Sequence, residues 1–163
     1  MNGFVPALVA VLLAEMGPRA LFYADAGRHR IVLWTMAVLV AGAGAAGMLL
    51  ARELNEWANA LMIAIALALA AVGQVQRVQP AAGIIPVVAS FWSGGVLILV
   101  FALAIRFGSV AAIAGGLAGL AAAAIVTRAL VAGAIPLRPV RWVAAVVLTL
   151  AGASIAADAL RFV

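Results

Sequence analysis

An all-α integral membrane protein, six transmembrane helices in two inverted three-helix repeats, is the fold that this sequence predicts, and three observations carry it. Of 163 residues 69% are hydrophobic and 9% charged, whereas a soluble domain carries charge on about a quarter of its residues. Six apolar runs long enough to be spans alternate with short connections bearing arginine, glycine or proline. The most polar connection, QVQRVQP over Gln74 to Pro80, divides them three and three, and an odd number of spans in each half turns the second half over in the bilayer.

Taken in order, the runs predict helices at 4–26, 32–51, 57–75, 84–106, 108–130 and 139–162, forming one membrane domain of repeat one, 1–76, and repeat two, 80–163. The first starts in an uncharged run, Phe4 to Leu13, and crosses LLAEMGPRALFYADAGRHR (12–30). The second lies between Arg30 and Arg52 and carries Gly42, Gly44 and Gly47. The third follows the polar turn around Glu53, Asn55 and Glu56, and the fourth, loosened by Ser90, Ser93, Gly94 and Gly95, ends at Arg106. Gly115 and Gly119 in the fifth form a small-residue face that permits close backbone approach. The sixth ends with Asp158 and Arg161, three apart, as a surface pair. At an offset of 76 residues Arg30 falls on Arg106 and Arg52 on Arg128, and the second helix of each half is glycine-rich.

A net charge of +5 admits nucleic acid as a partner in principle, but the ten basic residues are all arginine and sit singly or in pairs near helix ends. No basic run interleaved with aromatics tracks a phosphate backbone, so the arginines read as topology. Arg28, Arg30, Arg77, Arg128, Arg138 and Arg141 fall on one side and Arg52, Arg106 and Arg161 on the other, which puts both termini outside; a bacterial inner membrane is the expected location. Trp34, Trp57 and Trp142 lie near helix ends as interfacial anchors, while Trp92 does not. Cysteine is absent and His29 is the one histidine, which removes disulfides, thiolate metal sites and imidazole clusters. Met1 to Leu13 lacks the basic start of a cleavable signal, so the first segment is expected to stay.

The candidate site is Glu15, Gly17, Pro18 and Arg19. Charges at hydrocarbon depth each cost about 2.5 to 3.5 kcal/mol on insertion scales and persist where they are paired, hydrated or useful. Within a helix, Glu15 and Arg19 share a face. Pro18 has no N–H and its ring clashes with the carbonyl of Ala14, so the helix should kink or open and release a carbonyl oxygen beside a carboxylate. Those are parts of an oxygen site for a hard cation or a proton, with Glu15 as the metal-ligating residue. The alternative is an ion pair that only fastens one helix to another. Ser90 and Ser93 add hydroxyl oxygens from the second half without charge. Asp25 with Arg28 and Arg30, His29, and Glu53 with Arg52, Asn55 and Glu56 read as solvated end groups; a pH-sensing His29 and a cation-attracting outer vestibule are the sharper alternatives. No constellation of nucleophile, base and orienter is present, so an enzyme is not expected, nor a cofactor.

With these residues placed, the layout resembles the transmembrane protein 165 family, the Golgi and bacterial Ca²⁺/Mn²⁺:proton exchangers, whose two inverted repeats each open with Glu-x-Gly-Asp-(Lys/Arg)-(Thr/Ser). AEMGPRAL keeps the Glu as Glu15, the Gly as Gly17 and the basic residue as Arg19, with Pro18 in place of Asp and Ala20 in place of the hydroxyl residue. In the second half ALAIRFGS (102–109) resembles the segment downstream of the second motif, which puts SFWSGG at the motif itself: Trp92 fits, Phe91 stands for Glu, Ser93 for Gly, Gly94 for Asp and Gly95 for the basic residue. The resemblance implies divalent cation and proton as transported species, in a divergent member keeping one carboxylate of four. Two other readings stand beside it: a membrane scaffold or partner subunit, and a transporter of another small solute. The lipid bilayer is the expected partner, with a homo-oligomer as a further expectation.

Overall fold

The computed structural model describes residues 3–16, 30–75, 95–133 and 135–160, and among them every regular element is an α-helix. These are α1 (Phe4–Glu15), α2 (Arg30–Leu50), α3 (Glu56–Val75), α4 (Val96–Phe107), α5 (Val110–Ala132) and α6 (Leu137–Leu160). By length and composition α3, α5 and α6 can each cross a membrane. At 1.5 Å per residue the 12 residues of α1 or of α4 reach about 18 Å, short of the roughly 30 Å hydrocarbon core.

Two of the expected helices are therefore shorter than their apolar runs. The helix expected over 4–26 ends at Glu15, and Met16 is extended at ψ 110°. Gly17 and Pro18 supply the reason: the residue before a proline is pushed out of the helical region, and the proline offers no N–H. The helix expected over 84–106 is described from Val96, behind Gly95 at φ +73°, a left-handed backbone that glycine adopts without a Cβ penalty. It closes at Gly108, whose N–H donates to the Ala104 carbonyl at 2.8 Å. The remaining helices match expectation to within about two residues, as boundaries usually do.

The connection at 51–55 is the water-facing turn expected of it: Arg52, Glu53 and Asn55 are exposed, and Asn55 Oδ1 accepts the Ala58 N–H at 2.8 Å, capping α3. Glu56 follows in the first turn, where a negative charge suits the helix dipole.

Packing is by small residues. More than half of the buried apolar residues are alanine, while Val143, Val146, Val147 and Leu150 of α6 face outwards. This is how helices pack in lipid, where burying large side chains brings no hydrophobic gain and close backbone approach brings dispersion contacts. The expected glycine face of α5 does this. A Cβ at Gly119 would lie 2.7 Å from the Leu8 carbonyl oxygen, and one at Gly115 would collide with the Phe4 carbonyl. On α2 a Cβ at Gly47 would collide with the Phe101 carbonyl of α4. α6 lies along α3, with Gly152 against Ala64 and Leu67.

Candidate functional site

The site begins where α1 stops. Ala14 is fully buried and Glu15, the last helical residue, is 1% exposed. A helix end leaves its last carbonyls without intrahelical donors, and here Pro18 removes the N–H that would have served Ala14. The missing donor comes from α3. Gln74 Nε2 donates to the Leu13 carbonyl at 2.8 Å and to the Ala14 carbonyl. Two carbonyls can only accept, so the side-chain nitrogen, not the side-chain oxygen, must face them. Gln74 is 5% exposed, and its own backbone carbonyl accepts from Nη2 of Arg141 on α6. Three elements thus meet at one end: the break in α1, the last turn of α3 and the second turn of α6.

Gln74 is expected both as the next-to-last residue of the helix over 57–75 and as the first residue of the polar connection Gln74 to Pro80; the structure bears out the helix and adds the burial. The physical cause is the end of α1, where the Ala14 carbonyl has no N–H from Pro18 to accept and an uncharged side-chain donor takes its place. That was the available signal: a proline inside an apolar run orphans one carbonyl four residues back, and a buried donor has to answer it.

α3 also receives the other break. A Cβ on Gly95 would stand 3.1 Å from the Ala70 amide nitrogen, and Ala70 lies one turn before Gln74 on the same buried stripe. The starts of α1 and α5 run in parallel register, Phe4 by Gly115 and Leu8 by Gly119. Carried forward, that register brings Glu15 level with Val126 and with Thr127, which is fully buried and which the sequence reading missed.

Of the ion-site candidates Glu15, Gly17, Pro18, Arg19, Ser90 and Ser93, Glu15 alone is described. Gly17, Pro18, Arg19, Ser90 and Ser93 lie outside the described residues, as do Asp25, Arg28, His29, Arg77, Phe91, Trp92, Gly94 and Arg161. α1 ends at Glu15, with Met16 extended; the expected pairing of Glu15 with Arg19 lies outside the described residues.

At the opposite end of the bundle a cavity of about 660 Å³ is lined by Asn55, Glu56 and Trp57, by Arg106 and Phe107, and by Asp158, reaching down to Pro6, Ile63 and Leu103. Two acids and one base thus border it. Asn59, one turn below Asn55, is buried, and its Oδ1 finds no donor among the described residues. No group of three or more His, Cys, Asp or Glu side chains gathers to hold a metal among the described residues.

Fold and site together define a chain that is all-α among the described residues, with three helices long and apolar enough to cross a membrane and a buried carboxylate at a helix end. No protein-family model, no curated protein and no solved structure matches it significantly.

Proposed function

We propose that this chain is a six-span membrane protein of two inverted repeats that moves a proton or a small hard cation past Glu15, a divergent relative of the Ca²⁺/Mn²⁺:proton exchangers it resembles. The observation that carries the reading is the helix break itself: a carboxylate at 1% exposure directly follows two main-chain carbonyl oxygens, Leu13 and Ala14, that no helical N–H serves among the described residues. Irregular backbone at membrane depth is tolerated where it is buried in protein or lines a pathway, and broken helices of this kind hold coupling ions in secondary transporters.

The arrangement of elements supports the inverted repeat. α1 packs chiefly on α5 and α2 on α4, while α3 packs on α6; exchanging the two halves turns the first pair into the second and returns the third to itself. The two breaks also correspond, since at the offset of 76 residues Gly95 falls on Arg19, inside the stretch that interrupts the first run. Two acids against one base around the far cavity favour a cation over an anionic solute.

The decisive experiment is Mn²⁺ and Ca²⁺ flux, with proton counter-flux, into proteoliposomes holding the intact protein or Glu15→Gln. Flux in the wild type and its loss in Glu15→Gln is the expected result. Absence of flux from folded protein sinks the reading and leaves the scaffold, which the far cavity favours in one respect: its lining ends at Pro6 and Ile63, more than two helical turns short of Glu15.

A further inference from the structure

We propose that Gln74 is a latch on the cation site: its amide stands where the cation would stand, on the Leu13 and Ala14 carbonyl oxygens, and must leave before a cation can be held there with Glu15. The inference rests on the preceding reading of Glu15 and adds the residue that controls access to it.

The geometry is that of a competitor. An NH₂ group carries two donor hydrogens, and Gln74 Nε2 points them at two successive carbonyls. A hard cation takes the same carbonyl oxygens as ligands beside a carboxylate, and an oxygen lone pair turned to a cation is lost to an N–H. Gln74 is uncharged, so it can leave without stranding an ion, and it sits one residue from the end of α3, where a change in the last turn withdraws it. Arg141 holds the Gln74 main chain from α6, which couples the latch to the element that packs along the whole of α3. A plain structural cap would have the same hydrogen bonds but the opposite effect on ligand binding. Removing a cap loosens the site and weakens the cation, whereas removing a competitor raises the fraction of sites competent to bind and tightens it.

The test uses a hydrophobic carbodiimide on the full chain in proteoliposomes, reading modification of Glu15 by peptide mass spectrometry with and without Mn²⁺. Gln74→Leu removes the donors; Gln74→Asn keeps them but, one methylene shorter, draws them back from the carbonyls. The second variant decides the matter should the first fail to fold. The latch predicts faster Glu15 modification in folded variant than in wild type and a half-protecting Mn²⁺ concentration lower by about tenfold, the size of one to two net hydrogen bonds. Unchanged modification, or a half-protecting concentration that stays the same or rises while the wild type is protected, overturns the latch and leaves the cation reading standing. Protection by Mn²⁺ in neither wild type nor variants overturns the cation reading and the latch with it.

Discussion

Gly95 and Gly108 both hold left-handed backbone, at φ +73° and +55°, yet their surroundings differ. A Cβ at Gly95 meets the main chain of Leu69 and Ala70, whereas one at Gly108 meets nothing within 4 Å. Alanine at Gly108 should therefore cost only the left-handed penalty of about 1 to 2 kcal/mol, and alanine at Gly95 should cost more because α4 must also move off α3. Gly42 is the converse case: it sits inside α2 with open space around its missing Cβ, so Gly42→Ala should stabilise by about 0.5 to 1 kcal/mol. Thermal unfolding of the three variants in one detergent checks the order, and Gly95→Ala tolerated as well as Gly108→Ala would contradict the contact. The sequence marks all three as glycine and cannot rank them, because the ranking depends on what another helix puts opposite each one.

At the scale of an element, the end of α1 follows from Pro18 and from a neighbour that only the fold supplies. Pro18→Ala restores an N–H able to reach the Ala14 carbonyl and prolong the helix, which would relieve Gln74 of that duty. Gln74→Leu should then destabilise the protein less in the Pro18→Ala background than in the wild type, with a coupling of about 1 kcal/mol in a double-mutant cycle. Strictly additive effects would mean that the two residues do not serve the same carbonyl. The break in α1 was readable from Glu15, Gly17 and Pro18 because helix termination is local chemistry. The role of Gln74 was not, since a glutamine in the last turn of a helix, at the start of QVQRVQP, reads as a solvated end group until the helix end opposite it is known.

For the whole molecule, the distribution of size across the bundle is the signature: among the described residues alanine supplies more than half of the buried apolar positions, and the exposed apolar residues are mostly valine, leucine, isoleucine and tryptophan. Trp34 and Trp142 are exposed near the start of their helices and Trp57 near the start of α3, as interfacial indoles are. The cavity gathers Glu56, Arg106 and Asp158 at one end, so cysteines placed at Glu53 and at Asp158 should react with a membrane-impermeant maleimide from the same side. Cysteines at Trp34 and Trp142 should react from the other. The chain has no cysteine of its own, so each variant reports a single position, and labelling of Glu53 and Asp158 from opposite sides would refute the six-span arrangement.

Composition alone determined that the chain is helical and built for lipid, because hydrophobic content and charge spacing are sums over residues that need no neighbour. The position of Pro18 also determined that the Ala14 carbonyl would lack its intrahelical donor, since proline's missing N–H is covalent. Which group answers Ala14, where the Gly95 break lands and which end gathers two acids around a cavity were decided by tertiary structure alone. Each is a meeting of segments some 25 to 100 residues apart, and such meetings are set by how glycine and alanine faces let whole helices approach.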